Sequence, residues 1–156
     1  MSPARPPAAA PSRGFDWSSL APGTRVFVDT APFIYLFDGH PTLADVYVGL
    51  FDAADRGALH LITSAVTVTE VLTGPCKAGL SALARQYEGA LARYEVVPIM
   101  LAIASLAARL RAEYRLRLAD AMQLACALEA GATVLVTHDR DFAGVGALRV
   151  ISGEVG

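Results

Sequence analysis

This sequence of 156 residues is poor in cysteine, close to neutral in net charge and without a long apolar run. Its two cysteines, Cys76 and Cys126, stand fifty residues apart with no CxxC or histidine spacing around them. That excludes a zinc site built on cysteine pairs and a disulfide scaffold, and it points to a reducing, cytoplasmic setting. Although 54% of the residues are hydrophobic, Asp, Arg, Glu or Gly interrupts every stretch before it reaches the ~20 apolar residues of a membrane span. The apolar excess therefore belongs to a core or an interface, and no membrane partner is expected. The opening MSPARPPAAAPSRG lacks the apolar segment of a secretory signal, so residues 1–23 read as a disordered Pro/Ala-rich tail ahead of a single domain over 24–156. The length suits one substantial core and is short for two. A formal net charge of -2 provides no global attraction for nucleic acid, so any such binding has to be local. One local source is RLRAEYRLR, where Arg109, Arg111, Arg115 and Arg117 gather four of the 13 basic residues. The same run also reads as a solvated helix face.

Patterning along the chain alternates strand and helix. TRVFVD is a short β-branched run that ends on Asp29, as a buried strand does. Thr30 to Asp38 reads as a helix, with Thr30 capping and Pro32 in its first turn. From Thr42 to Arg56, Leu43, Val46, Tyr47, Leu50, Phe51 and Ala54 follow helical spacing, and Gly57 follows as a stop. ALHLITSAVTVTEVLTGP mixes strand and helix periods, with Ser64 a plausible N-cap and Gly74-Pro75 expected to close the segment. Residues 77–93 read as a helix, YEVVPI as a strand, 101–116 and 120–130 as helices, and ATVLVTHD and LRVIS as strands. This order implies crossover units on a mostly parallel sheet, an α/β three-layer sandwich.

In such a sheet, ligands bind beyond the carboxyl ends of the strands. Asp29 and Asp139 both follow strands, so they emerge at one edge if those strands are neighbours. Asp120 opens a helix leading into the second of those strands, and that helix begins near the same edge. Each acid also has a local explanation. Asp29 and Asp139 could be strand-end punctuation, Asp120 with Gln123 a capping box, Glu70 a surface residue, and Asp141 a turn cap. Together they raise a different issue, because like charges within a few ångströms oppose folding unless a cation compensates them. All-oxygen carboxylate ligands suit Mg²⁺ or Mn²⁺, ions that also accept phosphate oxygens, so the chemistry points to phosphoryl transfer or phosphodiester hydrolysis.

VFVDTAPFIYLF with Asp29, TVTEVL with Glu70, LRLADAMQLACAL with Asp120 and LVTHDRDF with Asp139 resemble, in order, the four blocks of PIN-domain ribonucleases. More narrowly they resemble the VapC-type toxins of bacterial toxin-antitoxin pairs. The resemblance spans roughly residues 25–152. It implies a PIN-like fold, a strand ending near Thr63 with Glu70 on the next helix, and one or two Mg²⁺ or Mn²⁺ ions held by Asp29, Glu70, Asp120 and Asp139. It further implies that Thr137, and less directly Thr30, support the acids by hydrogen bonding. Either Asp139 or Asp141 of the last block can complete the set; Asp139 is favoured because it directly follows the strand, with Asp141 behind it. RNA would be the substrate, cut to leave a 5' phosphate and a 3' hydroxyl. A homodimer and an antitoxin that covers the groove are the implied partners, with helices 42–56 and 77–93 as candidate contact surfaces. The arginines at 109, 111, 115 and 117 become candidate RNA contacts. His138, where the family often carries Asn or Arg, is either a bystander or another such contact.

Other readings stay open beside this one. The domain could be a PIN-type nuclease of RNA processing that has no antitoxin, or an interaction module. A phosphotransfer protein of receiver or dehalogenase type fits less well, since Ala31 stands where a dehalogenase needs its second Asp. A receiver's early acidic pair and late lysine are also missing.

Overall fold

Short apolar runs become the strands Thr24–Val28 (β1), Leu59–Ser64 (β2), Glu95–Val97 (β3), Val134–Thr137 (β4) and Arg149–Ser152 (β5) in a computed structural model that describes residues 14–153. They form one sheet in the order β3-β2-β1-β4-β5, and every ladder in it is parallel. Parallel neighbours need crossover connections. The helices Thr30–Phe37 (α1), Leu43–Asp55 (α2), Ala65–Lys77 (α3), Ser81–Leu91 (α4), Leu101–Tyr114 (α5) and Leu118–Glu129 (α6) fill them, apart from the link into β5, which is a short 3-10 turn at Arg140–Phe142.

Because side chains alternate across a strand, consecutive residues feed different cores. Val26, Val28, Leu61, Val134 and Val136 pack with Phe33, Leu50, Phe51, Val71 and Leu91 of the first four helices. Phe27, Ile62 and Leu135 point the other way, into a second core with Ile103, Ala107, Leu110, Leu124 and Ala125 of α5 and α6. The sheet is thus the middle of three layers, buried on both faces, which is why its central strands read as continuous apolar runs. No helix among the described residues is long and apolar enough to cross a membrane.

Several local expectations are corrected. Residues 1–13 of the expected tail lie outside the described residues, but 14–23 belong to the domain. Trp17–Ser19 form a 3-10 turn capped by Asp16, Trp17 is buried, and its Nε1 donates to the Val46 carbonyl at 3.2 Å. One large aromatic anchor outweighs the Pro/Ala bias around it. The cap of α1 is Asp29, not Thr30, since the Asp29 carboxylate accepts from the Thr30 backbone N–H. Helix α6 starts two residues before Asp120, with Arg117 at its N-cap, so Asp120 and Gln123 form no capping box. Gly74-Pro75 does not end α3, which runs to Lys77; a proline so near the C-terminus forfeits a single helical hydrogen bond. The apolar face of α2 is core, with Val46, Tyr47, Leu50, Phe51 and Ala53 all buried. Large exposed apolar side chains stand next to one another at Ile99, Met100 and Leu101, just past β3, and singly at Val48 on the outer side of α2, at Leu80 and at Leu118.

Candidate active site

At the carboxyl edge of the sheet, β1 and β4 run side by side with Val28 opposite Val136. The Asp29 N–H donates to the Val136 carbonyl at 2.9 Å, which brings Asp29 beside Thr137, His138 and Asp139. Glu70 arrives from α3, launched from the end of β2, whose N-cap Ser64 accepts from the N–H groups of Val66 and Thr67. Asp120 sits in the first turn of α6, where a negative charge is favoured by the helix dipole. Asp29, Glu70, Asp120 and Asp139 all line one cleft of about 670 Å³, together with Thr30, Ile34, Tyr35, Arg117, His138 and Arg140.

Asp29 is the most enclosed acid. Its Oδ1 accepts from the Thr30 N–H at 2.8 Å and from Gln123 Nε2 at 3.1 Å, and its Oδ2 accepts from the Thr137 hydroxyl at 2.9 Å. Burial raises its pKa, opposed by the hydrogen bonds from Thr30, Thr137 and Gln123, while the charge on Asp139 adds to the rise. A carboxylate so enclosed is poorly presented as a nucleophile, which disfavours the phosphotransfer reading. Thr137 has a double task, since its oxygen also accepts from the Asp139 N–H at 2.9 Å. Thr30 donates through its hydroxyl to Glu70 Oε1 at 3.1 Å.

Asp120, Asp139 and Asp141 form a tighter group, each offering one oxygen within 4.8 Å of the others. Asp139 caps the 3-10 turn that carries Asp141, accepting from its N–H at 2.9 Å. Both acids of the last block therefore approach Asp120, Asp139 as part of the cleft lining and Asp141 from its rim. Burial first, and then the charges on Asp29 and Asp139, push Asp120 up to about 6. The Arg117 guanidinium opposes this, with Nε 3.4 Å from Asp120 and Nη2 3.0 Å from Asp139 and 2.7 Å from Asp141. The donor set is all oxygen, clustered, partly buried and in surplus of negative charge, which fits a hard divalent cation.

Of the four candidate arginines, only Arg117 lines the cleft; Arg109, Arg111 and Arg115 are exposed elsewhere on α5 and at its end. His138 lines the cleft with its Nδ1 2.8 Å from the Tyr47 hydroxyl and its ring edge-on to Tyr35. Tyr35 and Arg140 also line the cleft without having stood out in the sequence, and Gln123, expected only as a capping-box partner of Asp120, instead hydrogen-bonds to Asp29. The signal for Gln123 was present: it is the one amide in the apolar run AMQLACAL, and a polar side chain on a core-facing helix position calls for buried partners. Cys126 is buried, its thiol pushed up to about 11 by burial, and is therefore unreactive.

A family model described as PIN domain matches residues 26–148. No curated protein matches the sequence. Among solved structures, a toxin-antitoxin complex from Klebsiella pneumoniae is 28% identical with a TM-score of 0.64, covering 81% of this chain and 96% of its own. VapBC2 from Rickettsia felis, bound to a DNA fragment from its promoter, is 18% identical with a TM-score of 0.67, covering 84% and 100%. VapC20 from Mycobacterium tuberculosis, a sarcin-ricin loop cleaving toxin, is 17% identical with a TM-score of 0.59, covering 78% and 95%.

Proposed function

Because the chain belongs to the PIN domain family, we propose that it is a metal-dependent endoribonuclease that hydrolyses RNA phosphodiester bonds as the toxin of a toxin-antitoxin pair. The observation that carries this reading is the convergence of Asp29, Glu70, Asp120 and Asp139, from four separate segments, on one cleft, with Asp120 held near 6 by burial and its acidic neighbours. Such a site is incomplete without a cation, and its oxygen donors favour Mg²⁺ or Mn²⁺.

A divalent ion bound there supplies Lewis acidity, acidifying a water and neutralising charge on the phosphate. The protein's own residues hold and orient the components. Asp120 and Asp139, with Asp29 and Glu70 beside them, provide the oxygen donors, and Asp141 extends the set at the rim. Thr137 ties Asp29 to the Asp139 backbone, fixing the spacing between strand ends. Arg117 balances three carboxylates in this structure while its side chain stays 73% exposed, so the guanidinium is free to exchange carboxylate for a phosphate of the RNA backbone. Tyr35 and His138 place aromatic rings in the cleft lining, within reach of an unstacked base.

The antitoxin partner is supported by the toxin-antitoxin complex from Klebsiella pneumoniae. A second copy of the chain is expected to cover Met100 and Leu101, which are 63% and 84% exposed, since apolar groups so exposed mark interfaces. Light scattering on the purified protein tests for a dimer, and Leu101→Glu is expected to leave a monomer.

Asp29→Asn and Asp120→Asn are each expected to abolish Mg²⁺- or Mn²⁺-dependent cleavage of RNA while circular dichroism stays that of the folded protein. Full activity in either variant, or in excess chelator, overturns the reading. Mapping cut ends in total RNA after brief expression, with Asp120→Asn as control, identifies the substrate.

A further inference from the structure

Gln123 is 1% exposed, and nothing in the packing of α6 requires an amide there. A leucine or methionine fills similar space without the cost of burying polar atoms. Every one of its polar atoms is nevertheless partnered, and the partners lead to the acids. We infer that Gln123 is a positioning residue that closes Asp29 Oδ1 to any cation, leaves Oδ2 as the ligating oxygen, and orients the hydroxyl chain that reaches Glu70. The inference rests on the metal-dependent nuclease reading and deepens it.

The direction of each hydrogen bond follows from counting donors and acceptors. Ser64 Oγ, as N-cap of α3, accepts from the N–H groups of Val66 at 3.1 Å and Thr67 at 3.4 Å. Its lone pairs are then occupied, so its proton goes to Gln123 Oε1, with which it makes a short hydrogen bond. That fixes the amide the other way round, with Nε2 towards Thr67 Oγ1 at 2.7 Å and Asp29 Oδ1 at 3.1 Å, and 3.3 Å from Thr30 Oγ1. Thr67, having accepted from Gln123, directs its own proton to Thr30 Oγ1 at 3.1 Å, and Thr30 donates to Glu70 Oε1. All the protons run from the α3 cap towards the acids.

A carboxylate oxygen has about two acceptor sites. Oδ1 of Asp29 has both filled, by the Thr30 N–H and by Gln123. Among the described residues, Oδ2 accepts from Thr137 alone and so retains one. Without the Gln123 amide, Oδ1 regains an open site, the carboxylate can turn about its Cβ–Cγ bond, and Thr30 loses one of the contacts that aim it at Glu70.

The test uses the full chain and Gln123→Met, which keeps length and apolar volume while deleting the amide. Mn²⁺ affinity is read from the electron paramagnetic resonance signal of free Mn²⁺ during titration, beside thermal unfolding and RNA cleavage. The expected result is a cooperatively unfolding variant whose Mn²⁺ affinity is weaker by about ten- to a hundred-fold, the usual cost of removing a group that orients a ligand. A second readout needs no variant: in the wild-type protein, the Gln123 side-chain NH₂ resonances are expected to move during a Mg²⁺ titration, with the midpoint of Mg²⁺ binding. Unchanged Mn²⁺ affinity in folded Gln123→Met overturns the inference, as do Gln123 resonances that stay fixed while Mg²⁺ saturates the protein. Should wild type bind no Mn²⁺ and cut no RNA, the nuclease reading itself fails, and this assignment falls with it.

Discussion

Asp120, like Asp29, carries a conflict between charge and burial. Its folded-state pKa of about 6 lies above its ordinary 3.8, so between those values the folded protein holds a proton that the unfolded chain releases. For the metal-free protein this group's contribution is therefore most favourable below about pH 4 and is lost as pH rises through about 6, a change of up to about 3 kcal/mol. Asp120→Asn removes the conflict. In chelator at pH 7.5 it is expected to raise stability by about 1–2 kcal/mol, read as an increase in Tm, and to flatten the dependence of Tm on pH between 4 and 7. A variant less stable than wild type under those conditions contradicts the assignment of Asp120 as a destabilised carboxylate. Thr137 works in the opposite sense, holding Asp29 Oδ2 and the Asp139 N–H together. Thr137→Val leaves both without that partner, and chemical denaturation is expected to show a loss of about 1–3 kcal/mol.

Among the elements, β1, β2 and β3 are tied across one face near their amino ends by polar side chains. Arg25 donates to Glu95 at 3.0 Å and to the Ala130 carbonyl at 2.7 Å, and His60 pairs with the same carboxylate at 2.5 Å. The bond from His60, and then Arg25, hold Glu95 below its ordinary 4.5. The stability this gives is present above that value and lost as pH falls below it. With Glu95 39% exposed, Glu95→Gln is expected to cost only about 0.5 kcal/mol at pH 7 and nothing at pH 3. At this scale the sequence was most informative. The order of strands and helices, the Ser64 cap and the stop at Gly57, whose φ is +74, were legible because apolar period and cap chemistry are local properties. The start of α6 was misplaced because Asp120 is a good capping residue by type, and only tertiary contacts reveal its use elsewhere. That acids at strand ends share an edge followed from parallel topology alone. Their donors, and the arrival of Arg117 rather than Arg109, Arg111 or Arg115, depend on distances that no spacing in the chain encodes.

For the whole molecule, a net charge of -2 gives no global attraction for the proposed RNA substrate, so binding in the cleft rests on Arg117 and Arg140, its basic lining residues. Two phosphate contacts predict a shallow salt dependence, with log affinity falling by about 1.4 per tenfold rise in salt for single-stranded RNA. Arg117→Gln is expected to reduce that slope by about 0.7, measured with the non-cleaving Asp120→Asn protein. A slope several-fold steeper would place most contacts outside the cleft. The sheet order β3-β2-β1-β4-β5 has a consequence for timing. The strand with Asp29 is translated first, yet its second neighbour, β4, emerges only after α6. Until β4 slides in against β1, Asp29 has neither the Thr137 hydroxyl nor Asp139 beside it. The acidic edge of the sheet is thus complete only once one of the last strands to be made comes into place.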